Sequence, residues 1–421
     1  MLRCEVFKIH HFQCCCRCLL IDSNLKSTSS FHRDIRRVER FVSIHSNPRG
    51  NGKLYDLNFK RNYRSFLGYK NNAAKFNIED PSTNNPKDIN KLEFLKYNGS
   101  SNVKFSVIKN YMRRGRKFSK LSTRFHFGKQ YGDDTFFATY WKPGYGDKFE
   151  KGSVKALVFI CHGYGEYLGD AYDEIAEFWC SELGGGSLVF GHDHVGHGRS
   201  SAGERVLIDN IDDLVEPVIS HVKSVLKWND FGENRVPVFL VGHSMGGLIS
   251  LLALLRNQHL FKGFIGVSPL AIIGPDRATP TNILLAKSLQ KYFPSFILPS
   301  FLDDNNDRHI TRNEAFVENL KKDHLRWHAG PKARTGWLLL ESCKTLENNL
   351  SGISVPILIL QGGEDKLVDP MGAQIIHDKS RSTDKEYKIY PEAFHNLFVE
   401  LDDVKSDVQI KTLQWMGKRL R

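Results

Sequence analysis

The 421-residue sequence has few cysteines in its main part and no long apolar run. No stretch of about 18 or more consecutive apolar residues is present, which argues against a membrane-spanning helix. Five of the eight cysteines lie at positions 4, 14, 15, 16 and 18, and the other three are scattered singly. No zinc-site spacing or disulfide framework can be recognised in this set, so the sequence predicts a reducing compartment.

Two stretches rich in glycine or histidine also lack the signatures of cofactor sites. Gly184-Gly185-Gly186 is not followed by the Lys-Ser/Thr pair of a phosphate-binding loop, and it indicates a turn. Residues 192–198 read HDHVGHG, but glycines interrupt the histidines, and the helical spacing H-E-x-x-H is missing. The sequence therefore predicts neither a metal ion nor an organic cofactor.

Positive charge is concentrated near the start of the chain. Residues 1–130 contain 27 Lys and Arg against 9 Asp and Glu, whereas the remainder contains 32 against 38. The mildly acidic remainder argues against nucleic acid as a partner. We predict a basic, poorly ordered leader over residues 1–120 and a folded domain over residues 121–421. The leader, with Cys14–Cys16 as S-acylation sites, either binds an anionic membrane surface or is a plain disordered extension.

The most informative stretch, residues 237–247, reads PVFLVGHSMGG. An apolar run of strand length leads into Gly-His-Ser-Met-Gly, and a helix-like apolar run follows at residues 248–255. This strand–turn–helix context is the one in which a G-x-S-x-G motif forms a nucleophile elbow, with glycines where side chains would collide. Ser244 is therefore the candidate nucleophile.

The order of predicted elements indicates the fold class. Residues 125–129 and 135–141 resemble the two arms of a β-hairpin. From residue 154 onwards, apolar strands alternate with segments of helical periodicity, which predicts a mostly parallel sheet with helices on both faces. A long interruption, at about residues 274–330, fits a helical cap inserted between strands. Its stretch 283–302 is largely apolar and carries two charges, so it fits either a lid facing lipid or a helix packed on the domain below.

A serine nucleophile requires a base, an acid that orients the base, and donors for an oxyanion. Asp365 follows the predicted strand 355–360, and Glu364 and Asp369 compete with it for the role of acid. His395 is the only histidine after the last predicted strand, which makes it the candidate base. The order Ser, Asp or Glu, His is the one found on this fold.

A specific family resemblance supports these assignments. From about residue 125 to residue 420, the chain resembles monoglyceride lipases of the serine α/β-hydrolase fold. The stretches that carry the resemblance are YWKP at 140–143, HGYGE at 162–166, HDHVGHG at 192–198, VFLVGHSMGG at 238–247, SPL at 268–270, Gln361-Gly362 with Asp365, and Phe394-His395.

The resemblance implies a role for each candidate residue. It implies Ser244 as the nucleophile, Asp365 as the acid and His395 as the base. The oxyanion would be bound by two backbone N–H groups. One belongs to Met245, the residue after the nucleophile, and the other to Tyr164, in the loop after an earlier strand.

The same resemblance suggests how the substrate is held. Glu166 and His243 are expected to contact it. The sequence departs from the family at Phe398, where histidine is common, and at Asp170, where arginine is expected a few residues after Glu166.

The implied activity is hydrolysis of a monoacylglycerol into glycerol and a fatty acid through an acyl-enzyme on Ser244. A lysophospholipase or acyltransferase of the same family is the alternative, and a non-catalytic binding module on the same fold is a remote one. The partners expected are a small lipid ester and the surface of a membrane, in a cytoplasmic enzyme that associates with it peripherally.

Overall fold

A single nine-stranded sheet organises the part of the chain that the structure describes. The computed structural model describes residues 106–111, 118–125, 135–143, 154–201, 203–227, 236–298 and 306–420. In these residues the strand order is β1-β2-β3-β5-β4-β6-β7-β8-β9. The strands are β1 Ser106–Tyr111, β2 Phe118–Phe125, β3 Phe136–Pro143, β4 Ala156–Cys161, β5 Ser187–His192, β6 Val238–His243, β7 Gly263–Val267, β8 Ile357–Gly362 and β9 Lys385–Tyr390.

Strand direction divides the sheet into two parts. Strands β4 to β9 pair in parallel, whereas β1, β2 and β3 pair antiparallel and join the rest through β5. The parallel strands therefore end at one common edge. That edge is where ligands bind in open α/β sheets, because the loops that leave it converge.

Eight helices of the described residues cover the sheet or form the cap. They are α1 Asp170–Glu182, α2 Asp212–Leu226, α3 Met245–Asn257, α4 Pro280–Leu289, α5 Glu314–Leu320, α6 Ala333–Asn349, α7 Pro370–Lys379 and α8 Asp402–Lys418. None of these helices has the length and hydropathy needed to cross a bilayer.

The apolar strands are buried on both faces, which explains their continuous hydrophobic sequences. In β4, Leu157, Phe159 and Cys161 point to a core shared with α2, α3, α6 and α7. The alternate residues of the same strand point to a second core, shared with α1 and α8. The predicted fold class, an α/β-hydrolase with helices on both faces of a mostly parallel sheet, is confirmed.

The N-terminal edge differs from the sequence expectation. The hairpin exists, but its first arm is β2 rather than residues 125–129, and Phe125 pairs with Phe136 at its end. Strand β1 and the start of β2 lie inside the stretch that we expected to be poorly ordered. Leu121 and Phe125 are buried while Lys120 and Arg124 are only half-buried, and the basic residues at alternate positions concealed the strand. Residues 1–105, with Cys14–Cys16, lie outside the described residues.

The cap lies between β7 and β8, as predicted. It contains α4, a short 3-10 helix at Asn306–His309, and α5. A bridge between Ile297 and Lys332 joins the segment after α4 to the residue before α6. Ala286, Leu298 and Ala333 form a small core beneath this joint, which fixes α4 against α6.

Candidate active site

Ser244 lies at a strained turn between β6 and α3. Its φ of 53° and ψ of −124° fall in a region that side-chain-bearing residues seldom adopt. A Cβ on Gly246 would lie 2.1 Å from the carbonyl oxygen of Cys161, and one on Gly242 would lie 2.5 Å from that of Gly246. The glycines at both motif positions are therefore required by close backbone contact, as the sequence predicted.

His395 and Asp365 form a buried hydrogen-bonded pair at the ends of the last two strands. His395 Nδ1 donates to Asp365 Oδ2 over 2.7 Å, and the two side chains are 5% and 0% exposed. Asp365 Oδ2 also accepts from Gln361 Nε2 at 3.0 Å. The other oxygen, Oδ1, accepts from the backbone N–H groups of Leu367 and Val368 at 2.9 and 3.1 Å. This carboxylate is thus fixed from three sides and orients the imidazole.

The two competing carboxylates lie elsewhere. Glu364 has a side chain 57% exposed, and its Oε2 is 3.7 Å from the Nζ of Lys366. Asp369 accepts from the backbone N–H of Met371 and caps α7. Of the three candidates, only Asp365 contacts His395.

The serine and the histidine are neighbours but are not hydrogen-bonded to each other in this structure. The ring of His395 packs against that of His243, with centroids 4.8 Å apart, and Ser244 directly follows His243. Within the described residues, no hydrogen bond joins Ser244 Oγ to His395. Such a bond is commonly long in a free enzyme and shortens when substrate binds.

Two backbone N–H groups are available near Ser244 for a developing negative charge. Met245 is the first residue of α3, so its N–H has no acceptor within the helix and lies at the positive end of the helix dipole. Tyr164 lies between Gly163 and Gly165 in the loop after β4. A Cβ on Gly163 would lie 3.2 Å from Ser244 Cβ, so this loop contacts the elbow directly.

A buried carboxylate lies beneath that loop. Glu166 Oε2 accepts hydrogen bonds from Tyr172 OH at 2.5 Å, from the backbone N–H of Gly163 at 3.1 Å and from His243 Nδ1 at 3.1 Å. Its Oε1 accepts from Arg326 Nη1 at 3.2 Å. Burial alone would raise the pKa of Glu166, but the adjacent His243 and Arg326 hold it well below its ordinary value. The carboxylate is therefore ionised.

These contacts bear on the expectation that Glu166 and His243 touch substrate. Both side chains are buried, and each hydrogen-bonds to protein groups of this site. Contact with substrate stays a prediction. Tyr172 and Arg326 could not be assigned to the site from the sequence. Neither carries a motif, and Arg326 is 160 residues away from Glu166 in the chain.

Five further histidines form a buried cluster beside the site: His162, His192, His194, His197 and His221. His194 N–H donates to His162 Nε2 at 2.9 Å, and His221 lies 3.1 Å from His192, Nδ1 to Nδ1. Burial lowers the pKa of each, to about 4 for His197 and to about 3 for His221. In the described ranges, no group of His, Cys, Asp and Glu has the arrangement of a metal site.

The cluster predicts loss of stability in mild acid. Because these histidines have folded pKa values below their unfolded value of about 6.5, the unfolded state binds more protons as the pH falls below that value. Stability should therefore be full above about pH 7 and fall from about pH 6.5 downwards, as far as about pH 4 for His197 and about pH 3 for His221. The loss is on the order of 3 kcal/mol for His197 alone. Asp193, whose pKa is raised to about 6 by burial, offsets part of the loss. Urea unfolding measured at several pH values tests this.

The control for this measurement is His377, a histidine on α7 outside the cluster. His377→Gln should still lose stability as the pH falls below about 6.5, because the five buried histidines are unchanged. A free energy that stays constant from pH 7 to pH 5 would contradict the neutral, buried state of the cluster.

The fold and the geometry around Ser244 define a class, the serine hydrolases of the α/β-hydrolase fold. Comparison with known proteins agrees. The sequence pattern of the family described as serine aminopeptidase, S33, matches residues 152–402. Monoglyceride lipase of Rattus norvegicus is 39% identical over 285 residues, which cover 68% of this chain and 87% of the relative. The human monoglyceride lipase is 37% identical over 283 residues, 67% of this chain and 87% of the relative.

A solved structure gives the same result in three dimensions. A soluble variant of monoglyceride lipase from Saccharomyces cerevisiae, in complex with a substrate analog, superposes with a TM-score of 0.57 at 26% identity. The match covers 70% of this chain and 94% of that one. The chain therefore belongs to the serine aminopeptidase S33 family, within its monoglyceride lipase group.

Proposed function

We propose that this protein hydrolyses the ester bond of monoacylglycerols and releases glycerol and a free fatty acid. The observation that carries the proposal is the buried Asp365–His395 pair beside the strained elbow of Ser244. The relatives at 37–39% identity supply the substrate class.

In the first half of the reaction, Ser244 attacks the acyl carbonyl. His395 Nε2 takes the proton of the Ser244 hydroxyl as the bond from Oγ to the carbonyl carbon forms. Asp365 accepts from Nδ1, which keeps the other ring nitrogen free to receive that proton and stabilises the imidazolium. The tetrahedral intermediate then collapses, the bond to the glycerol oxygen breaks, and His395 protonates that oxygen.

The second half uses the same groups with water. His395 takes a proton from water, the hydroxide adds to the acyl carbon, and collapse returns the proton to Ser244 as the fatty acid leaves. In both halves the N–H groups of Tyr164 and Met245 stabilise the oxyanion, and their fixed orientation avoids reorganisation during the reaction.

The cap supports access from a lipid surface. Eight large hydrophobic side chains are exposed in the described part of the chain, and four of them belong to one segment of the cap: Leu284 (46%), Tyr292 (72%), Phe293 (47%) and Phe296 (38%). The charged residues of this segment are Lys287 and Lys291. Aromatic and aliphatic side chains flanked by lysines suit the interface of an anionic bilayer, so we propose that the cap rests on the membrane peripherally.

A substrate panel on the purified protein tests the activity. We expect kcat/KM for a long-chain monoacylglycerol to exceed that for the matching lysophospholipid by about tenfold or more, which corresponds to about 1.4 kcal/mol in the transition state. A preference for the lysophospholipid would instead favour the lysophospholipase alternative. Transfer of the acyl group to an added alcohol, in preference to water, would favour the acyltransferase.

A cap variant tests the surface in the same panel. Replacing Tyr292, Phe293 and Phe296 together by Ser should lower hydrolysis of monoacylglycerol embedded in anionic vesicles by at least about tenfold, because even one inserted aromatic side chain contributes about 1.5–3 kcal/mol and about 1.4 kcal/mol corresponds to tenfold. Turnover of a soluble short-chain ester should not change. The matched control replaces Leu401 and Ile410, which are similarly exposed outside the cap. An equal loss on vesicles in both variants would contradict the proposed surface.

A further inference from the structure

We infer that the cap segment 310–330 holds both catalytic loops in working geometry through two arginine–carboxylate bridges in which the carboxylate is buried. One bridge, Arg326–Glu166, supports the loop that carries Tyr164, and the other, Arg312–Glu400, supports the loop that carries His395. The inference rests on the proposed function, because it assigns these arginines as positioning residues for that reaction.

The first bridge reaches the oxyanion loop from the cap. Arg326 Nη1 donates to Glu166 Oε1 at 3.2 Å, with both side chains at least nine-tenths buried. Through its other oxygen, Glu166 accepts the N–H of Gly163, the residue before Tyr164. On the other side of Tyr164, the carbonyl of Gly165 accepts from the N–H of Trp327, the neighbour of Arg326, at 2.8 Å. Tyr164, the proposed oxyanion donor, thus has a hydrogen-bonded residue on each side. Gly163 bonds to the carboxylate that Arg326 of the cap holds, and Gly165 bonds to the cap directly.

The second bridge has the same construction at the histidine loop. Arg312 Nε donates to Glu400 Oε2 at 3.0 Å, and the Glu400 side chain is fully buried. Glu400 Oε1 accepts the N–H of Phe394, the residue before His395, at 3.0 Å. The N–H of Asn396, the residue after His395, donates to the cap carbonyl of Ile310 at 2.7 Å. His395 is therefore fixed on both sides by groups that belong to the cap or are paired with it.

Further contacts attach the same segment to the two loops. Tyr167 OH donates to Asp323 Oδ2 at 2.7 Å, and Thr311 Oγ1 donates to the carbonyl of Val399 at 3.0 Å. Helix α5 lies between the two anchoring points. A displacement of this segment would disturb the oxyanion donor and the base together, so correct seating of the cap becomes a condition for turnover.

Charge explains why arginine suits both positions. A buried carboxylate without its cation is strongly destabilising, and the planar guanidinium keeps its charge at any physiological pH. Each carboxylate also accepts a hydrogen bond from a backbone N–H group of a catalytic loop. The bridge therefore fixes the position of that loop in addition to neutralising the charge.

The test measures turnover of a soluble short-chain ester by Arg312→Met and Arg326→Met, with the active enzyme counted by fluorophosphonate titration. We expect kcat per titrated site to fall about ten- to hundredfold with KM within about twofold, because displacement of a catalytic group by about 1 Å costs this much. Arg312→Lys and Arg326→Lys should recover part of kcat, since lysine keeps the charge without the planar fork.

A second arm asks whether each arginine acts through its carboxylate. In a Glu166→Gln background, Arg326→Met should lower kcat by less than about threefold more, because residues that act as a unit are not additive. The same holds for Arg312→Met in a Glu400→Gln background. Full additivity in either pair would overturn the inference for that bridge.

The matched control is Arg334→Met. Arg334 also joins the cap to the domain, through Gln290 Oε1 at 2.7 Å and the carbonyl of Asp209 at 2.5 Å, but it contacts neither catalytic loop. Its kcat should stay within about twofold of wild type. If the Arg312 and Arg326 variants have a lowered Tm but a wild-type kcat per titrated site, the arginines have a purely structural role. That result would overturn the inference and leave the proposed function standing. A wild-type protein that cleaves no ester would overturn the proposed function and the inference together.

Discussion

Ser244→Ala should reduce ester turnover by about a millionfold, the scale of loss when a serine nucleophile is removed from a complete triad. Any remaining rate would come from substrate binding and the oxyanion donors. The substitution should leave the fold intact, because the Ser244 side chain makes no hydrogen bond to another residue that the structure describes, and alanine is no larger. Hydrolysis of a soluble ester and labelling by a fluorophosphonate probe measure the effect, with circular dichroism to check folding.

Ser268→Ala is the matched control for this experiment. Ser268 also has a positive φ, 44°, and lies directly after β7, yet its hydroxyl has no place in the proposed reaction. Its turnover should stay within about twofold of wild type. Labelling that persists in Ser244→Ala would mean that another residue is the nucleophile.

Asp365→Asn should lower kcat about ten-thousandfold, with little change in KM. An asparagine amide can donate to His395 Nδ1, which favours the tautomer whose Nε2 carries a hydrogen and cannot accept the serine proton. The backbone N–H groups of Leu367 and Val368 would still donate to the remaining amide oxygen and hold the side chain in place, so the loss is mainly chemical. Initial-rate kinetics on a soluble ester give kcat and KM separately.

Glu364→Gln provides the control at the adjacent position. Glu364 is mostly exposed and does not contact His395, so its removal should change kcat by less than about twofold. A larger loss from Glu364→Gln than from Asp365→Asn would mean that the wrong carboxylate has been assigned.

The parts of the site that depend on local sequence could be predicted. The elbow follows from glycines that must stand beside Ser244, and the structure gives the collision each Cβ would cause. His395 could be selected because it follows the last strand, a statement about chain order. The acid could not be chosen from chain order alone. Glu364, Asp365 and Asp369 all follow the same strand, and only the direction of each side chain in the structure distinguishes them.

The parts that depend on distant pairing could not be predicted. Arg326 lies 160 residues from Glu166 and Arg312 lies 88 residues from Glu400, and a single sequence carries no signal that joins such pairs. Strand β2 was missed for a different reason, since its outward basic residues concealed the buried alternation of Leu121 and Phe125. His162 and His221 likewise join the HDHVGHG histidines only through the fold.

The insertion of the cap between β7 and β8 also has a consequence for folding kinetics. The residues that complete the site come into contact only when long loops of the chain close. One example is the hydrogen bond from Asn396 N–H to the carbonyl of Ile310, which closes a loop that contains β8 and β9. Closing long loops costs entropy that local helices do not require, so such contacts form late. The helices should therefore form before the base and the oxyanion loop reach their final positions. A chain caught partway through folding would have helical structure and no esterase activity.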